Sequence, residues 1–123
     1  MAASEGTARQ WQQMTGCPMV EGWGMSETCA IGTNNPVTAT QFSGSIGLPL
    51  PSIDIAIKDD DGNSLSIGDT GEICIKGPNV MTGYYNQAEE NKKAFTSDGY
   101  MRTGDIGIMD GDLLAVQSTR DAK

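Results

Sequence analysis

Between Gly71 and Asp105 the chain reads as strand, turn, short helix and strand, and this stretch limits the fold more than any other. Five of the sixteen glycines fall in it: Gly71, Gly77, Gly83, Gly99 and Gly104. Glycine permits positive φ and close approach of other groups, so the segment is punctuated by sharp changes of direction. Between the glycines the residues alternate with the period of a strand. Ile73 and Ile75 point to one face and Glu72, Cys74 and Lys76 to the other. Pro78 cannot donate to a ladder, so the strand ends or bulges there. The stretch closes on Thr103-Gly104-Asp105, which reads as a tight turn presenting a carboxylate. A carboxylate on a rigid turn is a good acceptor for paired hydroxyls such as a ribose diol.

The flanking segments extend the same pattern. Ile53, Ile55 and Ile57 alternate with Asp54, Ala56 and Lys58, and Asp59-Asp60-Asp61-Gly62-Asn63 then makes a strong turn. Three adjacent carboxylates invite a calcium reading. The alternating ligands and distal glutamate of a calcium loop are missing, so a solvated hairpin turn is preferred. Asn86 with Glu89 three residues on predicts a capped helix to about Phe95, with Ala88 and Phe95 inward. Tyr100–Thr103 and Ile106–Met109 read as two strands, and Asp110-Gly111 as a hairpin turn leading to a strand over Leu113–Val116. Upstream, Ser4 caps a helix whose apolar positions are Ala8, Trp11 and Met14, with Gly16 as its stop and Trp11 anchoring it to its neighbours. Met19–Trp23 reads as a short strand, and Thr33–Ser43, with Asn34-Asn35-Pro36, as a loop. The expected fold class is α+β. Residues 1–43 supply a helix, a strand and a ligand-facing loop, and residues 44–123 an antiparallel β module.

The net charge of −8 argues against nucleic acid and anionic membranes as partners. No run approaches the roughly 18 apolar residues that span a bilayer. No basic-then-apolar signal opens the sequence. Cys17, Cys29 and Cys74 lack metal-ligand spacing, and so sparse and odd a set suits a reducing cytoplasm. With no histidine, a histidine-based triad is excluded.

Four motifs in order carry a resemblance. They are Gly22 to Thr28 (G-W-G-M-S-E-T), Gly44 to Pro51 (G-S-I-G-L-P-L-P), Gly71 to Asn86 (G-E-I-C-I-K-G-P-N-V-M-T-G-Y-Y-N) and Arg102 to Asp105 (R-T-G-D). Together they resemble the adenylate-forming (AMP-binding) acyl-CoA synthetases, the fatty acyl-CoA ligases among them. The resemblance covers nearly the whole chain. It implies that residues 1–43 end an α/β nucleotide-binding subdomain and that the strands of 44–123 close into a small distorted barrel ending at an interdomain hinge. It also implies an ATP/AMP site. Trp23, flanked by Gly22 and Gly24, would stack on adenine, and the hydroxyl of Ser26 would contact a phosphate. Glu27 would help hold Mg²⁺, and Asp105 would accept the ribose hydroxyls. On its residues alone Trp23 reads first as a packing aromatic, and Ser26 and Glu27 as ordinary capping residues.

The resemblance is incomplete. Where the family has a hinge aspartate followed by an arginine, this sequence has Gln117 and Ser118. A two-residue shift recovers Arg120 but puts Thr119 in the aspartate position. The family's phosphate loop with its lysine, and its lysine-bearing C-terminal domain, are not in this sequence. The expectation is therefore a piece of a fatty acid–CoA ligase, inactive in isolation, with no catalytic residue of its own. The parent would use ATP, Mg²⁺ and CoA on a fatty acid or other carboxylate. An apolar surface exposed at the cut would favour self-association. The alternative is a stand-alone, non-catalytic β-rich binding module.

Overall fold

Alternation in the isoleucine-rich segments produces the central sheet. In the computed structural model, which describes residues 4–38, 43–110 and the backbone of 116–118, β4 (Asp54–Lys58), β5 (Thr70–Lys76), β6 (Met101–Met109) and β7 (Val116–Ser118) pair antiparallel in that order. Ile55 lies opposite Ile75 and Ile57 opposite Ile73. One core cluster is Ile46, Ile57 and Ile73, and the other Ile53, Ile75 and Met101. Trp23 and Ile55 pack against both and so join them.

β5 is buried on its second face as well: Cys74 is as fully enclosed as Ile73 and Ile75. Polar groups cover it there. Arg102 pairs with Glu72 at 2.9 Å. Lys58, itself buried, donates to Asp98 Oδ2 at 2.9 Å, to Ser64 Oγ and to the Gly62 carbonyl, and its ammonium lies 4.6 Å from the centre of the Tyr100 ring. A buried ammonium needs this degree of compensation. Burial pushes the Cys74 thiol up to about 11, with the Glu72 carboxylate adding to the effect. Asp59 accepts from the backbone N–H groups of Asn63 and Asp61, which shapes the acidic turn and lowers its own pKa.

A smaller sheet is built from β1 (Gly22–Trp23), β2 (Thr33–Asn34) and β3 (Leu48–Pro49), also antiparallel. β2 lies inside the segment read as loop, and β1 is shorter than Met19–Trp23. β3 follows residue 43 and pairs with β2 before it. Among the described residues the two sheets stay separate and open. The expected barrel closure is replaced by packing of Trp23 and Ile46 on the larger sheet.

α1 (Glu5–Thr15) starts and stops where the sequence predicts. Ser4 Oγ accepts from the Thr7 N–H at 3.1 Å, and Gly16 at φ 72 donates to the Gln12 carbonyl. Its apolar stripe is not covered as expected. Ala8 is buried, but Trp11 is 49% and Met14 79% exposed, so Trp11 does not anchor the helix among the described residues. α2 (Ala88–Ala94) begins after Gln87, not Asn86. Asn86 takes φ 54, a left-handed conformation that asparagine tolerates, so its side chain does not cap. Phe95 packs on the core as expected, whereas Ala88 is exposed.

Thr103-Gly104-Asp105 corrects the sequence reading in a different way. Met101–Met109 is one nine-residue strand, not two strands joined by a turn. Gly111 and Leu113 lie outside the described residues, as do Thr119 and Arg120. Gln117 and Ser118 fall in β7.

Candidate functional site

The irregularity in β6 is a bulge. Arg102 lies opposite Cys74 and Ile106 opposite Glu72, so Thr103, Gly104 and Asp105 together face Ile73. Extra residues bend a strand and re-aim a side chain. Gly104 takes φ 77, which an L side chain would resist. Hydrogen bonds hold the bulge on several sides. Thr103 Oγ1 donates to the Ile73 carbonyl at 2.7 Å and accepts from the Asp105 N–H at 3.2 Å. The Gly104 N–H donates to Glu72 Oε1 at 3.0 Å. The other oxygen of Glu72 takes Arg102, whose guanidinium also donates to the carbonyls of Asp59 and Asp60.

The bulge delivers Asp105 to Trp23. The indole Nε1–H donates to Asp105 Oδ2 at 3.0 Å, joining residues 82 positions apart. Two residues predicted from separate motifs are thus brought together, in a half-buried position. Gly22 and Gly24 serve the chain's own backbone here. A Cβ on Gly24 would lie 1.8 Å from the Ala30 carbonyl oxygen, and one on Gly22 would lie 2.8 Å from that of Thr33.

Ser26 and Glu27 sit on a short 3-10 helix, Ser26–Thr28. Thr28, fully buried, ties it down: its hydroxyl accepts from the Met25 N–H and donates to the Met25 carbonyl. The turn that follows puts Cys29 at φ 54 and Ala30 at φ 88, two non-glycine residues in left-handed conformations. Such strain persists where surrounding bonds hold it. Here Asn79 Nδ2 donates to the carbonyls of Thr28 and Ile31 at 2.8 and 2.9 Å. The Met81 N–H donates to the Glu27 carbonyl. The Glu27 side chain accepts from the Tyr84 hydroxyl at 3.0 Å, and that bond holds the phenol above its ordinary value of 10. The Ser26 side chain is exposed.

Asn79 and Tyr84 have no assigned role in the sequence reading, although both fall in the stretch it centres on. Their signal is the pairing of G-P-N and G-Y-Y with a second motif, which a single segment does not display. Among the described residues neither Glu27 nor Asp105 pairs with a lysine or arginine. Nor do these residues include a group of three or more carboxylates or cysteines able to hold a metal alone. One carboxylate at Glu27 suits Mg²⁺, which takes one or two protein carboxylates and completes its shell with water and substrate phosphates. No helix among the described residues is long and apolar enough to cross a membrane.

Comparison with known proteins gives the following relatives. The AMP-binding enzyme family matches residues 1–85. A long-chain-fatty-acid–CoA ligase from Yersinia pestis is 40% identical over 112 residues, covering 91% of this chain and 20% of the relative. Apo MatB from Rhodopseudomonas palustris superposes with a TM-score of 0.88 at 36% identity, over 97% of this chain and 24% of that one. O-succinylbenzoate coenzyme A synthetase (MenE) from Bacillus subtilis, solved in complex with AMP, gives a TM-score of 0.85 at 31% identity, over 98% and 25%. The chain spans about a fifth of the length of the curated relatives it matches.

Proposed function

The chain belongs to the AMP-binding enzyme family, and from that premise we propose that it supplies part of the nucleotide site of an ATP-dependent fatty acid–CoA ligase. In that reaction the fatty carboxylate attacks the α-phosphate of ATP, giving acyl-adenylate and pyrophosphate. The thiol of CoA then attacks the acyl carbon and releases AMP. Asp105 accepts from the ribose hydroxyls, and the uncovered part of the Trp23 ring supports adenine. Gly22 and Gly24 let β1 turn tightly enough into the 3-10 helix to place both ends of the site. Ser26 contributes a hydroxyl to phosphate and Glu27 one oxygen to Mg²⁺, which would offset phosphate charge. None of these groups moves a proton. They position the substrate and compensate charge, which lowers the barrier through orientation and electrostatics. The free thiols of Cys17, Cys29 and Cys74 support a cytoplasmic location.

The observation that supports this reading most is the 3.0 Å bond between Trp23 and Asp105, which joins the first and last motifs in one half-buried position. A graft tests it. This chain replaces the matching fifth of a long-chain-fatty-acid–CoA ligase, and fatty acyl-CoA formation is followed. The graft is expected to retain activity. Asp105→Asn within it should weaken ATP and acyl-adenylate binding roughly ten- to a hundred-fold, as expected for loss of a charge-assisted hydrogen bond. A folded graft whose nucleotide affinity ignores Asp105→Asn would refute the assignment.

A further inference from the structure

We propose that Trp23 is the positioning residue of Asp105, setting the orientation of its carboxylate toward the diol through the indole N–H. This rests on the reading of Asp105 as the ribose acceptor. The bulge fixes the Asp105 backbone through Thr103 Oγ1 and through Glu72, which holds the Gly104 N–H. The rotation of the carboxylate remains to be set, and among the described residues Trp23 Nε1 is the donor that reaches it, at 3.0 Å. Trp23 is itself packed in place. Its backbone pairs with Thr33, its ring packs on both core clusters, and a Cβ on Gly32 would lie 3.2 Å from Cζ3 of the indole.

The chemistry of the donor matters. An arginine or lysine here would neutralise the carboxylate and occupy several acceptor positions. An indole donates a single hydrogen and carries no charge. It orients an anion that keeps its charge and about three of its roughly four acceptor positions for hydroxyls. A stacking residue needs only a ring, so phenylalanine would serve that role. Positioning needs the N–H, which phenylalanine lacks.

The test uses the 123-residue chain and two probes, AMP and 2′,3′-dideoxy-AMP, titrated by NMR. The wild-type chain should prefer AMP. Asp105→Asn should abolish the preference, and Trp23→Phe should reduce it by roughly two- to tenfold, the worth of one hydrogen bond. If Trp23→Phe weakens both nucleotides equally while Asp105→Asn abolishes the preference, Trp23 only stacks or packs and the inference is overturned. If Asp105→Asn leaves the preference intact, the reading of Asp105 fails, and the inference with it. A second measurement stands even if Trp23→Phe does not fold. The chain has two tryptophans, hence two indole N–H signals, and Trp11→Phe assigns them. The Trp23 signal should move in Asp105→Asn. An unmoved signal would overturn the contact on which the inference stands.

Discussion

Asp105 and Glu27 are both carboxylates set by glycine-bearing motifs, yet the chain holds them by different means. Asp105 stands on a bulge inside the nine-residue strand β6, with its backbone, both neighbours and its own side chain bonded. Glu27 stands on one turn of 3-10 helix, and among the described residues its side chain meets a single hydroxyl, that of Tyr84, which is 40% exposed. The difference suits the two proposed tasks. A ribose diol has fixed geometry, so its acceptor benefits from a rigid seat. A metal ion travels with the triphosphate, so the carboxylate that meets it benefits from latitude. The turn beneath Glu27 is nonetheless strained and tightly packed, so the latitude lies in the side chain and not in the backbone.

Gly24→Ala should break the comparison most, because it attacks that backbone. The added carbon meets the Ala30 carbonyl oxygen at 1.8 Å, and no side-chain rotation moves a Cβ away from a backbone atom. A loss of about 3 kcal/mol or more is expected in urea unfolding. Near-wild-type stability would mean that the turn is adaptable. Glu72→Ala should act on the other side, removing the acceptor for the Gly104 N–H and the partner of Arg102. The same measurement should show a loss of about 1.5–3 kcal/mol. A neutral result would show that the bulge is held by Thr103 alone.

Much of the seat of Asp105 is legible in the sequence, and much of its geometry is not. Ile53, Ile55, Ile57, Ile73 and Ile75 alternate as written, because a period of two and a buried face leave one register. Ser4 and Gly16 end α1 as written, because capping is local. Thr103-Gly104-Asp105 misleads because a glycine at positive φ serves a turn and a bulge equally. What separates them is whether the partner strand continues opposite, and here Ile73 and Cys74 do. Asn86 misleads for a related reason: a residue suited to capping is also suited to the left-handed region. Trp11 shows the reverse limit, since a locally capped helix forms without its apolar stripe being covered. The Trp23–Asp105 bond crosses 82 positions and two sheets, and nothing local announces it.

The smallest expected effect sharpens the description of Glu27. The Tyr84 phenol is held above its ordinary value chiefly by donating to the Glu27 carboxylate. Its folded-state pKa exceeds the unfolded one, so its contribution to stability is present below pH 10 and fades as pH rises through the folded value. Glu27→Gln should bring the Tyr84 titration down toward 10, read as tyrosinate absorbance in an alkaline titration. Stability at pH 7 should change by no more than about 0.5 kcal/mol, as for other exposed contacts. An unchanged titration would detach Tyr84 from Glu27.

The central claim is that Asp105, held in its bulge, receives the ribose of an adenine nucleotide. Saturation-transfer NMR of AMP on the 123-residue chain reads this directly and tolerates the millimolar affinity, about −4 kcal/mol, expected of a partial site. The account predicts saturation at the ribose 2′ and 3′ protons together with the adenine protons. In Asp105→Asn the ribose signal should be lost. An identical pattern in the two proteins, or saturation confined to adenine in the wild type, would contradict it.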